Sequence, residues 1–101
     1  MTFEEKIQTF AALVEKEVQE QMGRQYPNIS PDVVKVIPGK KYVKVDVGPT
    51  SNMSGKYMID EAGNIFGIKA YGVIHRGHRY GTLDTIRDYY WGGYVGVKKS
   101  V

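Results

Sequence analysis

The stretch KYMIDEAGNIFGIKAYG, residues 56–72, decides the architecture. Its first five residues are a strand-forming run. Glu61-Ala62-Gly63 has turn chemistry, and Ile65, Phe66 and Ile68 begin a returning run. Two such runs around a short glycine-containing turn predict an antiparallel hairpin. Gly67 and Gly72 interrupt the return, where a bulge or a close approach of another group is expected.

Working back from this hairpin, residues 33–37 (VVKVI) and 41–47 (KYVKVDV) are β-branched runs joined by Pro38-Gly39-Lys40, which predicts a second strand pair. In the later run Val43, Val45 and Val47 fall on one face, with Tyr42, Lys44 and Asp46 on the other. Residues 48–55 (GPTSNMSG) are turn formers and predict the longest loop. The N-terminal segment is different. Thr2-Phe3-Glu4-Glu5 is a capping box, and Phe3, Ile7, Phe10, Val14, Val18 and Met22 recur every three or four residues, with Glu, Lys and Gln elsewhere and Gly23 as the stop. Such a stripe needs an apolar surface to cover, and the strands supply it.

Beyond the hairpin, residues 75–81 (HRGHRYG) read as a loop. Residues 82–90 read as a short helix capped by Thr82, with Leu83, Ile86 and Tyr90 on one side. Gly92-Gly93 ends it, and residues 94–97 return as an edge strand. The expected fold is therefore a single α+β domain over residues 1–101. An N-terminal amphipathic helix packs on an antiparallel sheet of four to five strands, followed by a short C-terminal helix.

Composition narrows the class. The hydrophobic and charged fractions, 42% and 25%, are those of a soluble globular domain, and no run approaches the length of a membrane helix. The first residues lack a basic segment followed by an apolar one, so no secretory signal is expected. Without cysteine, disulfide and thiolate chemistry are excluded, and a cytoplasmic location is the simplest expectation. The net charge of +3 is uneven, because residues 1–22 carry −3 and residues 23–101 carry +6. That asymmetry suits an anionic ligand or nucleic acid on the later part, or a surface that is merely solubilising.

Among candidate chemistries, His75 and His78 have H-x-x-H spacing, with Asp84 or Asp88 as a third ligand, but Arg76 and Arg79 oppose a cation there. No nucleophile elbow is present, and Asp84 and Asp88 flank Arg87 one helical turn apart, as a solvated helix face would. Ser54-Gly55-Lys56 lacks the spacing of a phosphate loop. Acid–base work by His75 or His78 with Asp84 as orienter stays open. No catalytic residue, metal or cofactor is assigned.

What remains is a basic and aromatic cluster. Lys69, Arg76, Arg79 and Arg87 interleave with Tyr71, Tyr80, Tyr89, Tyr90 and Trp91, and His75 and His78 lie within it. Guanidinium groups grip phosphate through paired donors and aromatic faces stack on bases. The predicted ligand-binding set is Lys69, Tyr71, His75, Arg76, His78, Arg79, Tyr80 and Arg87. The competing account has the tyrosines and Trp91 building a satellite core or a subunit interface, with the arginines stacked on them.

The runs Tyr57-Met-Ile-Asp60, Gly63-Asn-Ile-Phe-Gly-Ile-Lys-Ala70 and Arg76-Gly-His-Arg-Tyr-Gly-Thr-Leu-Asp84 resemble a pattern of small, uncharacterised bacteriophage proteins. The resemblance covers about the second half of the chain and assigns no residue a role. What it implies is a style of action, stoichiometric binding in the host cytoplasm, including sequestration of nucleotide immune signals. The expected function is accordingly a non-enzymatic binder of a phosphate-bearing small molecule, working as a homo-oligomer away from any membrane. A single-stranded nucleic-acid binder and a protein module that inhibits a host enzyme are the alternatives.

Overall fold

The structure is a computed structural model. It describes residues 2–25, 32–49, 53–70, 73–92 and 96–99, without the side chains of residues 25, 69, 70, 73, 75 and 76. One helix, α1 (Phe3–Gln25), packs on an antiparallel sheet whose strands follow chain order. They are β1 (Val33–Ile37), β2 (Val43–Gly48), β3 (Ser54–Ile59), β4 (Asn64–Ala70) and β5 (Val73–Thr82). A short ribbon pairs β6 (Tyr89–Tyr90) with β7 (Val97–Lys98). The α+β class and the helix-on-sheet arrangement are those expected.

Helix α1 begins as its sequence dictates. The Glu5 amide donates to Thr2 Oγ1 at 3.1 Å, and the Thr2 amide donates to Glu5 Oε1 at 2.9 Å. The Thr2 amide, and after it the Thr2 side chain, hold the Glu5 carboxyl below its usual pKa. Ile7, Phe10, Val14 and Val18 are buried, each stabilising the fold by about 1.5–3 kcal/mol. Phe3, assigned to the same stripe, is 40% exposed. Gly23 does not stop the helix, which runs to Gln25. Its last turn is pinned from outside by Tyr90, whose Oη donates to Gln21 Oε1 at 2.9 Å, and from within by Arg24, whose Nη2 donates to the same atom at 3.0 Å.

Directly opposed residues share a face of a sheet. The register therefore sorts the side chains into two sets. Val36, Val45 and Tyr57 form one row, and Val43, Ile59 and Ile65 form another, both facing α1. On the reverse face a single row crosses all five strands, Ile37, Lys44, Met58, Phe66 and Arg79. Asp46 is an exception to simple alternation. It is only 4% exposed, and the register shifts between Val45 and Asp46, with Lys56 as the extra residue on β3.

Trp91 is at the centre of the core. Fully buried, it meets Phe10 and Tyr57 edge-on with ring centroids 4.8 and 5.3 Å apart, and Tyr89 stacks on it. Its indole Nε1 donates to the Ile86 carbonyl at 2.8 Å, and its amide donates to Glu17 Oε1 at 2.9 Å. Of the two accounts of the aromatic cluster, a packing role is the one the structure gives to Trp91.

Three expected elements are corrected. The loop at residues 75–81 is the middle of β5, the longest strand of the sheet. The helix over residues 82–90 is a single 3-10 turn, Ile86–Asp88. Threonine side chains there close a turn on themselves, as the Thr82 amide donates to Thr85 Oγ1 and the Asp84 amide to Thr82 Oγ1, local bonds that compete with helix. The Leu83 amide is also drawn to the Gly63 carbonyl, tying the turn to the β3–β4 connection. Finally, the C-terminal strand joins β6 in the small ribbon and is not an edge of the main sheet. Residues 93–95, where its predicted start falls, lie outside the described residues, as do 50–52 of the expected long loop. That loop is shorter than expected, because β2 includes Gly48 and β3 begins at Ser54.

Candidate functional site

Strand β5 ends the sheet, and its pairing with β4 is broken three times. The break that matters lies between the pairs Phe66↔Arg79 and Gly67↔His75. Adjacent residues on β4 there face widely separated residues on β5, so Arg76, Gly77 and His78 are the extra residues of a bulge. A bulge on a sheet edge bends the strand and re-aims its side chains. The donor-rich segment picked out by the sequence is thus raised from the ladder while its two ends stay paired.

Arg79 follows the bulge. It pairs with Phe66, which places it on the face away from α1, and its side chain is exposed. Both Nε and Nη2 donate to Asn64 Oδ1, at 3.1 and 2.8 Å. Tyr80, the next residue, lies on the opposite face. Its ring packs edge-on against Tyr57 at 5.5 Å and Trp91 at 6.2 Å between centroids. Burial raises its pKa above the ordinary tyrosine value. That ring also covers Gly67, where an added Cβ would come within 3.3 Å of it, so the close approach expected at Gly67 is present.

The other predicted ligand residues are distributed as follows. His78 is exposed, with its Cβ beside Gly67 on the α1 side of the strand. His75 and Arg76 have their backbones in β5, and Lys69 in β4, while their side chains lie outside the described set. Tyr71 and Gly72 lie wholly outside it. Arg87 is exposed on the 3-10 turn and lines a different groove, between that turn and α1, together with Lys6, Thr9 and Asp84. Lys6 Nζ lies 2.8 Å from Asp84 Oδ1 in that groove. Among the described side chains, the structure therefore places His78 and Tyr80 on the α1 side of β5, Arg79 on the opposite face, and Arg87 apart from all three.

Two contributors escaped the sequence. Asp60 accepts from the amides of Ala62 and Asn64 through Oδ1, at 3.0 and 2.9 Å, and from Asn64 Nδ2 through Oδ2 at 3.1 Å. Asn64 then holds Arg79. The available signal was the Asp-x-x-x-Asn spacing around Gly63, whose side chains can bond back into their own turn. Lys56 is a further cation of note. Burial lowers its pKa against the opposing pull of the Asp32 charge. Among the described residues no cluster of His, Asp and Glu could hold a metal ion, and no helix is long and apolar enough to cross a membrane.

Compared with protein-family models, curated proteins and solved structures, the chain matches none.

Proposed function

We propose that this chain is a binding protein, without catalysis of its own, for a phosphate-bearing small molecule held on β5. The carrying observation is the bulge at Arg76-Gly77-His78 beside the exposed Arg79, on a sheet edge that α1 does not close. Hydrogen bonds from guanidinium to phosphate are among the stronger ones a protein makes, and a raised strand segment lets donors converge on one anion. A stacked single-stranded nucleic acid is less well served, because the rings of Trp91 and Tyr57 are buried and that of Tyr80 packs against them. The resemblance of residues 57–84 to small bacteriophage proteins extends the proposal to a nucleotide immune signal, sequestered in the host cytoplasm by a homo-oligomer.

Calorimetric titration with mono-, di- and cyclic nucleotides tests this. Arg76→Ala and Arg79→Ala should each weaken binding by about 1.5–3 kcal/mol. A ligand with two or three phosphates should lose affinity only modestly with added salt, where a nucleic-acid strand would lose it steeply. Heat with none of these nucleotides would overturn the proposal. The second reading, inhibition of a host enzyme, then takes its place, favoured by the exposed His78 and Arg79 on that edge, which an acidic partner surface would complement.

A further inference from the structure

Arg79 is held in an unusual way for an exposed arginine. Its Nε and Nη2 both donate to one neutral oxygen, Asn64 Oδ1. The amide making this contact is itself fixed, since Asn64 Nδ2 donates to Asp60 Oδ2. Asp60 in turn is locked into the β3–β4 turn by the amides of Ala62 and Asn64. A carboxylate at the Asn64 position would still accept from Arg79 but would cancel its charge, and it would lose the donor that Asp60 accepts. An amide orients the guanidinium and leaves the charge for something else. The negative group of the chain stands one residue further back, where its field at Arg79 is weaker and is passed on through the polarised amide. Nη1 takes no part in the bonds to Asn64, so one end of the guanidinium fork is directed away from the turn.

We infer that Asn64 is a positioning residue, backed by Asp60, which presents Arg79 as a pre-oriented cation for an anionic ligand. The inference rests on the anion-binding reading above and deepens it. It assigns the β3–β4 turn a part in recognition although neither Asn64 nor Asp60 carries positive charge. It also defines the ligand group that Arg79 selects. The exposed fork offers parallel N–H donors to two oxygens on one centre, the geometry of a phosphoryl group or a carboxylate.

The test compares Asn64→Ala and Asn64→Asp with the wild type, using inorganic pyrophosphate as the probe and following the Arg79 Nε–H resonance together with binding heat. In the free wild-type protein that resonance should be protected from exchange, and Asn64→Ala should remove the protection. Pyrophosphate affinity should fall about 3- to 10-fold in Asn64→Ala, from lost orientation, and by more than about 10-fold in Asn64→Asp, from lost charge. Because aspartate at this position loses the Nδ2 donor to Asp60 and faces its carboxylate, a residue that only braced the turn would show its loss in the denaturation midpoint of both variants and leave pyrophosphate affinity unchanged where both are folded. Equal affinities in wild type and Asn64→Ala, or a smaller loss in Asn64→Asp than in Asn64→Ala, overturn the inference while the anion-binding reading stands. Absence of pyrophosphate and nucleotide binding in the wild type overturns both.

Discussion

The sheet has two edges, and they are treated in opposite ways. At β1 the helix closes the edge with its own side chains. Glu15 Oε2 accepts from the Val34 amide at 2.9 Å, Gln19 Nε2 donates to the Asp32 carbonyl at 2.9 Å, and Met22 Sδ accepts from the Asp32 amide at 3.4 Å. At β5 the strand is instead bulged and interrupted by Gly77 and Gly81, and it carries exposed His78 and Arg79. Both devices discourage pairing with another chain. Covering an edge removes its polar groups from reach, whereas a bulge with cations leaves donors in solvent. The difference assigns β1 to stability and leaves β5 open to solvent, as the binding proposed for it requires.

The largest effect should come from the element that does the covering. Phe10 is fully buried against Tyr57 and Trp91, so Phe10→Ala should cost about 3–5 kcal/mol in chemical denaturation. Loosening α1 should also bring exchange of the Val34 amide forward by the same free energy. If that amide exchanges as before, the helix is not what closes the β1 edge.

Next in size is the direct contact. Glu15→Ala leaves the Val34 amide without its acceptor and should cost about 1–2 kcal/mol. From the sequence Glu15 belongs to a solvated helix face, where its loss would cost almost nothing. A change below about 0.5 kcal/mol would therefore restore that simpler account and reduce the two edges to a difference in charge alone.

How much was readable follows from the range of the forces involved. The capping box at Thr2 and Glu5, the helix stripe through Phe10 and Val14, and the strands around Gly63 are written in contacts between near neighbours, and the periodicities report them. Residues 75–81 were misread because a strand at a sheet edge needs no apolar alternation, so Arg76, His78 and Arg79 resemble a loop in composition. Trp91 and Tyr80 look alike in sequence to rings set out for stacking; only the packing of α1 onto the sheet decides that they are core. Glu15, Glu17 and Gln19 show the same limit in reverse, as polar residues whose partners lie far along the chain. Within the candidate site, the donors were legible, while the bulge and the Asp60–Asn64 support depend on strand register, which no local pattern encodes.

A smaller effect concerns Tyr57, which lies on the α1 face between the two edges. Its hydroxyl is buried beside the Gly96 amide without closing a well-formed hydrogen bond. Burial, reinforced by Tyr80, pushes its pKa well above the ordinary tyrosine range, against the weaker opposite pull of that amide. Because the folded pKa is the higher one, this contribution to stability is complete below the unfolded value of about 10 and is lost as pH rises beyond it. Tyr57→Phe should flatten the alkaline fall in stability. At neutral pH it should change stability by less than about 1 kcal/mol, with no hydrogen-bond partner left stranded. An unchanged alkaline limb, followed by the absorbance of ionised tyrosine, would show that another group governs it.

The smallest expected effect is the sharpest comparison of the edges. Arg79→Ala removes two hydrogen bonds, yet both run between exposed groups that water can satisfy. Its stability cost should stay within about 0.5 kcal/mol, although Glu15→Ala removes only one bond. Glu15 bonds β1 from the helix and Arg79 lies on β5, at the other end of the strand order, and they share no partner, so the double variant should equal the sum of the single changes within about 0.3–0.5 kcal/mol. Denaturant titration of the four proteins measures this directly. A larger coupling would mean that the sheet transmits strain from one edge to the other, and that the bulged edge cannot be altered without disturbing the covered one. Additivity, together with a large loss of ligand affinity in Arg79→Ala alone, would show that the chain keeps its folding free energy at β1 and its chemistry at β5.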